Sequence, residues 1–419
     1  MNSHVLRKNL FYLYVLTITK LLIPIAIMPY LSRVLSTEQY SIYSQVRACV
    51  TFINLFMDYG FIYTATKEIS QYADDNKRIC NIMSEITGAK LVLFAMILLF
   101  TALMLTFTKN FRGYTLYVLL TILAAGLINM LPDFLFRGLE NMKLLSDRFL
   151  ISKLITTALL LVMVKSEADF LYIAFLDMLC SVLALYITCR RLKKDGIVIE
   201  RKHLFGRTFK RLKEGFSVFL TTVAPSAYGA LNTLFVGTLL PAVDVVYWSI
   251  SWSVISAGMN MYLPIVSAIF PRTVKDKNFR VIKKMLNFCI PVLLLICGAV
   301  IMLSDKTMLI LGGTQYIKGK YTLMLLTPVL LFSFPGILVG FPVFGAVGSE
   351  NKLRDIVVFS AVFHVAGLAA MRIFGRVTIV NVCLLRCATE LFSTVLKLWQ
   401  AKNLVGSYHL NCKKEIDSA

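Results

Sequence analysis

Acidic residues are scarce in this chain: 23 Asp and Glu among 419 residues, against 44 Lys and Arg. Charged residues of both signs reach only 16%, and hydrophobic residues make up 58%, which no ordinary soluble domain matches. The four histidines (His4, His203, His364, His409) do not cluster. The nine cysteines form neither a disulfide framework nor a zinc pattern; Cys383 and Cys387 share a helix face without partner ligands. No metal and no cofactor is therefore expected. There is no Walker-type glycine loop, so the chain does not itself burn ATP. No Ser/His/Asp or paired-carboxylate arrangement stands out, and no enzyme is expected. The ten-residue alternation of an outer-membrane barrel is missing. So is a cleavage site after the charged start Arg7-Lys8 and the apolar run to Leu31, which makes that run an uncleaved span.

Apolar stretches of helix length recur from end to end, which predicts an all-α polytopic membrane protein. Twelve spans are placed, at 10–31, 40–65, 88–107, 115–136, 149–165, 169–189, 216–239, 245–270, 286–304, 321–343, 356–372 and 378–399. With this topology 31 Lys and Arg fall on the side of the termini and 9 opposite. By the positive-inside rule both termini are cytoplasmic. The basic run from Arg190 to Lys213 then reads as an inside loop facing anionic headgroups, so membrane lipids and no nucleic acid are the expected partners. The outside loops are short, which disfavours a membrane polymerase of the kind that carries its catalytic residues there.

Sliding the chain by about 204 residues gives a weak self-match. Val34 to Tyr43 lies over Thr238 to Tyr247, and Gly138-Leu139-Glu140-Asn141 recurs as Gly348-Ser349-Glu350-Asn351. Two parallel six-helix lobes follow, 1–200 and 201–419, related by a pseudo-two-fold axis along the membrane normal. A substrate path lies between such lobes and opens alternately to each side.

Within the second span, Tyr43, Arg47, Thr51, Asn54 and Asp58 follow the helical repeat and form one polar stripe. A charge near the bilayer centre costs about 2.5–3.5 kcal/mol on insertion scales, so such groups face a bundle interior or a wet cavity. Lys20 sits about 15 Å from either end of the first span, at 1.5 Å per residue, and Arg33 at its outer end either joins the cavity or snorkels to the headgroups. Asp177 in the sixth span reads equally as a coupling carboxylate or a hydrogen-bonded packing residue. Arg386 and Glu390, at i and i+4, read as a structural ion pair. The prolines Pro24, Pro29 and Pro225 mark bends, with or without gating.

Pro29-Tyr30-Leu31-Ser32-Arg33-Val34-Leu35, then Tyr40 and Tyr43, Asp58-Tyr59-Gly60-Phe61 and Thr64 to Ile69 resemble the opening of bacterial O-antigen and polysaccharide-unit flippases. These belong to the multidrug/oligosaccharidyl-lipid/polysaccharide exporter superfamily. The likeness continues through Phe136-Arg137-Gly138-Leu139-Glu140, Ile269-Phe270-Pro271-Arg272 and Gly345-Ala346-Val347-Gly348. One departure is Arg137, where the family usually has Gln. The resemblance implies export of undecaprenyl-diphosphate-linked sugar units across the inner membrane, with a polysaccharide polymerase and a chain-length regulator as further partners. For that cargo Lys20, Arg33 and Arg47 are the expected diphosphate ligands. Thr51, Asn54, Asp58 and Asp177 are expected for the polar path or coupling, and Tyr228, Asn232, Trp248 and Trp252 for sugar contact. A multidrug or organic-cation extruder on the same scaffold would prefer acidic residues in its cavity.

Overall fold

A computed structural model describes residues 3–107, 111–200, 207–262, 265–266 and 279–417. Among them there are helices and turns and no strand. The motif Ile269 to Arg272 and His203 lie outside the described residues. The chain divides into two compact units, Met1–Ala230 and Leu231–Ala419.

The first unit holds α1 (Ser3–Val34), α2 (Thr37–Asp58), α3 (Phe61–Gln71), α4 (Asn76–Phe107), α5 (Thr115–Asn129), α6 (Asp133–Gly138), α7 (Met142–Met163), α8 (Phe170–Lys194) and the start of α9 (Thr208–Leu239). The second holds the rest of α9, then α10 (Ala242–Asn260), α11 (Arg280–Met302), α12 (Ser304–Gly312), α13 (Lys320–Leu326), α14 (Pro328–Ala346), α15 (Glu350–Ile373) and α16 (Ile379–Asp417). In the first unit α5 packs on α8 and α2, and α7 on α1 and α8; in the second, α16 packs on α14 and α15.

Nine helical stretches among the described residues are long and apolar enough to cross a membrane. The remaining expected spans, 149–165, 216–239 and 245–270, fall on α7, α9 and α10, of 22, 32 and 19 residues. Large apolar side chains point outward along these helices, among them Leu99 and Phe100 on α4, Phe288 and Leu295 on α11, and Phe359 and Val362 on α15. So much exposed apolar surface is stable only against lipid. The protein is an all-α, multi-pass membrane protein.

Among the described residues the expected spans 40–65 and 115–136 are interrupted, and 321–343 is interrupted only at Thr327, whose backbone stays helical. The stretch 40–65 breaks at Tyr59 and Gly60, both left-handed (φ 45° and 78°), which separates α2 from α3. A Cβ on Gly60 would stand 2.7 Å from Val218 Cγ1 of α9, so both the backbone conformation and the close approach require glycine. The stretch 115–136 breaks at Leu131-Pro132, because proline disfavours helix at the residue before it and supplies no N–H. The repeated Gly-x-Glu-Asn corners are real helix ends, but two residues out of register with the sequence match. The positive-φ residues are Glu140 (φ 54°) and Gly348 (φ 65°). Just after them, the Asn141 N–H donates to Phe136 O at 2.7 Å and the Ser349 N–H to Phe344 O at 2.8 Å. Both are six-to-one closures of a helix C-terminus, and they equate Phe136 with Phe344.

Candidate functional site

The unit 1–230 encloses a cavity of about 650 Å³, lined from α1, α2, α4, α5, α7 and α8 and from the α5–α6 corner. Its charged lining is Lys20, Arg47, Lys90, Arg137, Arg148 and Lys153 against Asp58, Asp133 and Asp177. Six cations face three carboxylates, a net charge of +3.

These charges differ in how they are held. On α2, Arg47 donates through Nη2 to Asp177 Oδ2 of α8 at 2.6 Å, and Lys153 Nζ of α7 lies 3.8 Å from the other oxygen. The Arg47 guanidinium also lies 5.0 Å from the Tyr43 ring centroid, within cation–π range. Its Nε is buried and unpartnered. Arg148 donates to Asp133 Oδ1 at 2.6 Å and to Thr188 Oγ1 at 3.2 Å. Lys90 Nζ donates to the carbonyls of Asn129 and Leu131 at 2.7 and 3.3 Å. Those carbonyls are freed by the Leu131-Pro132 break, so Lys90 caps the C-terminus of α5, where a cation also complements the helix dipole. Lys20 and Arg137 have no carboxylate within ion-pair distance among the described residues. Lys20 Nζ lies 5.3 Å from the Phe149 centroid, and Arg137 Nε is buried without a hydrogen-bond partner.

Of the residues expected at the site, the cavity brings together Lys20, Arg47, Asn54, Asp58 and Asp177. The polar stripe survives because the helix breaks only after Asp58. Asn54 Oδ1 accepts from Asn129 Nδ2 at 2.7 Å, and Asp58 Oδ1 accepts the Ile62 N–H in the first turn of α3. Thr51 supports the stripe without lining the cavity, its hydroxyl donating to Arg47 O at 3.1 Å. Arg33 also lies off the lining; its Nη1 donates to Pro29 O at 2.5 Å, on an exposed turn.

The aromatic and amide candidates of the other half are packed inward. Trp248 and Asn232 are fully buried and Tyr228 nearly so. Trp248 Nε1 donates to Thr233 Oγ1 at 3.0 Å, and its indole stacks on that of Trp252 at 5.9 Å. Arg386 lies over Trp252 at 5.1 Å and pairs with Glu390 at 2.7 Å, the expected i, i+4 pair.

Lys90, Asp133, Arg148 and Lys153 escape a stripe search on α2 alone. The signal for one of them, Arg148, is present on α7, where Arg148, Ser152 and Thr156 stand at i, i+4 and i+8 and are all buried. A separate ionic cluster joins α3, α4 and α9. Arg211 donates to Glu68 at 2.5 Å and to Glu85 at 2.7 Å, and Arg78 and Arg207 stand 3.5 and 3.6 Å from the same two carboxylates. Burial of Arg211 acts against its charge, but hydrogen bonds and the field from Glu68 and Glu85 win, and its pKa lies above the usual arginine value.

A membrane-embedded cavity with excess positive charge admits an anionic group. The family model described as "Polysaccharide biosynthesis protein" matches residues 6–276, well over half of the chain. The chain belongs to that family. Two curated members of similar sequence share the name "Putative O-antigen transporter". One, from Escherichia coli (strain K12), is 25% identical over 96% of this chain and 98% of its own. The other, from Shigella dysenteriae, is 23% identical over 86% and 91%. Among solved structures, an inward-facing multidrug resistance MATE family transporter of the MOP superfamily superimposes with a TM-score of 0.64, at 13% identity, over 95% of this chain and 98% of its own. An outward-facing one gives 0.59 at 12% identity, over 94% and 96%. At such identities the likeness is one of fold alone, an all-helical architecture shared with these two solved proteins.

Proposed function

We propose that this protein is a flippase. It moves undecaprenyl-diphosphate-linked oligosaccharide units, of O-antigen or a similar polysaccharide, from the cytoplasmic to the periplasmic leaflet of the bacterial inner membrane. It works by alternating access, without catalysis of its own, as twelve spans in two six-helix lobes, 1–200 and 201–419, with both termini cytoplasmic. The matching helix-end corners at Glu140 and Gly348 support the two-lobe reading. A polymerase and a chain-length regulator take over the units once exported.

The observation that carries this reading is the +3 cavity in a member of a polysaccharide family. A diphosphate cannot cross hydrocarbon unaided, and a fixed unit charge about 4 Å away is worth about 4 kcal/mol at an effective dielectric of 20, before desolvation is subtracted. The volume lies in the range of about 300–1,000 Å³ usual for ligand pockets. An extruder of organic cations would need the opposite charge balance. Lys20 and Arg47 are the proposed diphosphate ligands from the sequence, joined by Arg137. The aromatic face of Trp252 and its neighbours serve the sugars only if the second unit opens around them.

The test is the leaflet on which lipid-linked units accumulate when the gene is deleted in its host. Cytoplasmic accumulation, reversed by the wild-type gene but not by Lys20→Ala or Arg47→Ala at equal membrane levels, is expected. Units that reach the periplasmic leaflet and stay unpolymerised would place the protein at a later step.

A further inference from the structure

His364, on α15, has no exposed surface. Its Nδ1 lies 2.8 Å from Thr389 Oγ1 of α16 and its Nε2 2.9 Å from Asn232 Oδ1 of α9. Asn232 and Thr389 are equally buried, so a residue 25 positions away and another 132 positions away converge on one ring.

The partners determine what the ring can carry. Asn232 Oδ1 only accepts, so Nε2 bears a hydrogen. The Thr389 hydroxyl has one hydrogen and two acceptors in reach, Nδ1 and Leu385 O, the latter at 2.8 Å. Turned to Nδ1, the hydroxyl donates to a neutral ring. Turned to Leu385 O, it leaves its lone pair for an Nδ1–H, and the ring is an imidazolium. Both charge states are therefore hydrogen-bonded at both nitrogens with no heavy atom displaced. A histidine kept for packing needs only one such state. Asn232 bears on the same point, because its Nδ2 is buried without a partner. With Asn232 Oδ1 toward the ring, either charge state is accommodated at Nε2; the opposite amide rotamer would restrict the ring to the neutral form.

We propose that His364 is a proton-binding site that couples transport to the proton gradient, one proton adding to the Nδ1 lone pair and leaving again in each cycle. This rests on the flippase reading above for what is transported, though not for the binding of the proton. As the proton adds, the Thr389 hydrogen swings to Leu385 O, and no other bond changes. The charged groups around the ring are few. On α16, Arg386 and Glu390 pair at 2.7 Å, and Lys397 follows two turns later. Neither α14 nor the α9 stretch from Leu231 to Leu239 carries any titratable side chain. On α15 itself the charges Glu350, Lys352, Arg354, Asp355 and Arg372 stand at the helix ends. Buried ionisable groups in a membrane characteristically mark proton relays.

The experiment uses the full-length protein in proteoliposomes, with undecaprenyl-diphosphate-linked N-acetylglucosamine as the transported lipid and an imposed pH gradient. The wild type should move it faster with the gradient imposed and reach a roughly tenfold leaflet ratio per pH unit, the ratio one coupled proton supplies. His364→Gln should keep the gradient-independent rate and lose the acceleration. Acceleration that persists in His364→Gln, or a wild-type rate indifferent to the gradient, overturns the proposal while leaving the flippase intact. If this lipid is not moved at all, the reading of the cargo is what fails. A second measurement then decides the proton site alone, by ¹⁵N-histidine NMR of the full chain across pH. The histidine signal that is missing from the His364→Gln spectrum should convert from neutral to doubly protonated, with the conversion displaced in Thr389→Val. A His364 ring that stays neutral throughout, or is unaffected by Thr389→Val, overturns the proposal.

Discussion

Replacing Asp177 by Asn tests whether the carboxylates in the cavity compete with the cargo or hold the cations in place for it. Asp177 bridges Arg47 at 2.6 Å and Lys153 at 3.8 Å, so an incoming phosphate oxygen and the Asp177 carboxylate seek the same two cations. Removing the carboxylate raises the net charge of the lining from +3 to +4. An added unit charge about 4 Å from a phosphate oxygen is worth about 4 kcal/mol at an effective dielectric of 20. The side chains of Arg47 and Asp177 are 32% and 14% exposed, so solvent screening takes a large share of that. About 1.4 kcal/mol remains as a working figure, a tenfold gain in affinity. The Asn amide oxygen still accepts from Arg47, and because the pair is partly wet the stability loss should stay below the roughly 3–5 kcal/mol of a fully buried broken pair. The assay is binding of undecaprenyl diphosphate to the purified protein at several salt concentrations, beside Arg47→Ala. Asp177→Asn should bind about tenfold tighter and Arg47→Ala weaker, with export slowed in both, one by retention and one by loss of capture. An Asp177→Asn protein that binds as weakly as Arg47→Ala would refute the competition argument and make Asp177 a positioning residue for Arg47.

Three further outcomes follow from the same geometry. Lys90→Met should lower stability by about 1.5–3 kcal/mol, the worth of hydrogen bonds from a charged donor, read as a lower melting temperature in detergent. Lys20→Ala should leave melting unchanged and abolish export, so equal melting losses in the two variants would collapse the distinction between a capping and a binding cation. Arg148→Ala leaves Asp133 without its 2.6 Å partner and should cost about 2–4 kcal/mol, discounted from the fully buried case because Asp133 is partly exposed; membrane levels of the tagged protein check it. Gly60→Ala places a side chain at φ 78° and 2.7 Å from Val218 Cγ1. It should lose about 1–2 kcal/mol to backbone conformation alone and more to the clash with Val218 Cγ1 and Cβ; Val218→Ala removes only the Cγ1 contact, so a double-mutant melt should recover part of the clash and none of the backbone cost.

The helices were legible because membrane spans announce themselves by composition, and the polar stripe on α2 because a period of 3.6 is visible within one segment. The breaks at Tyr59-Gly60 and Leu131-Pro132 were not read, although Pro132 is a local signal. A hydropathy window averages over two or three residues that leave the helix. The pairing of charges was harder still. Arg47 meets a carboxylate 130 positions away, and nothing local to either residue names the other. The sequence separation of Arg47 from Asp58, too great for a pair on one helix, was readable; the partner across the bundle was not. Trp248 and Asn232 show the reverse problem. Their chemistry suits sugar rings, but the same chemistry suits a buried hydrogen-bond network, and only packing distinguishes the two.

The cavity's net charge and its working charge are different quantities. Six bare cations facing one space within a membrane would repel one another and lose hydration, a cost of several kcal/mol for each. Asp177 holds Arg47 and Lys153, Asp133 holds Arg148, and the carbonyls of Asn129 and Leu131 hold Lys90, so four of the six are stabilised when the cavity is empty. Lys20 and Arg137 remain uncompensated by any carboxylate in ion-pair range among the described residues. Under the proposed function, a diphosphate can pair with those two without breaking an existing ion pair. It gains Arg47, Lys153 and Arg148 only by displacing Asp177 or Asp133, and Lys90 only by displacing the carbonyls of Asn129 and Leu131. The number of ion pairs exchanged then grades how deeply the headgroup has moved, so affinity rises in steps along the path instead of peaking at one trap. Slow release is the hazard of any strongly charged site for a polyanion. Under the proposed function, carboxylates that return to their cations as the headgroup leaves supply the opposing force, a part that Asp177 and Asp133 are placed to play.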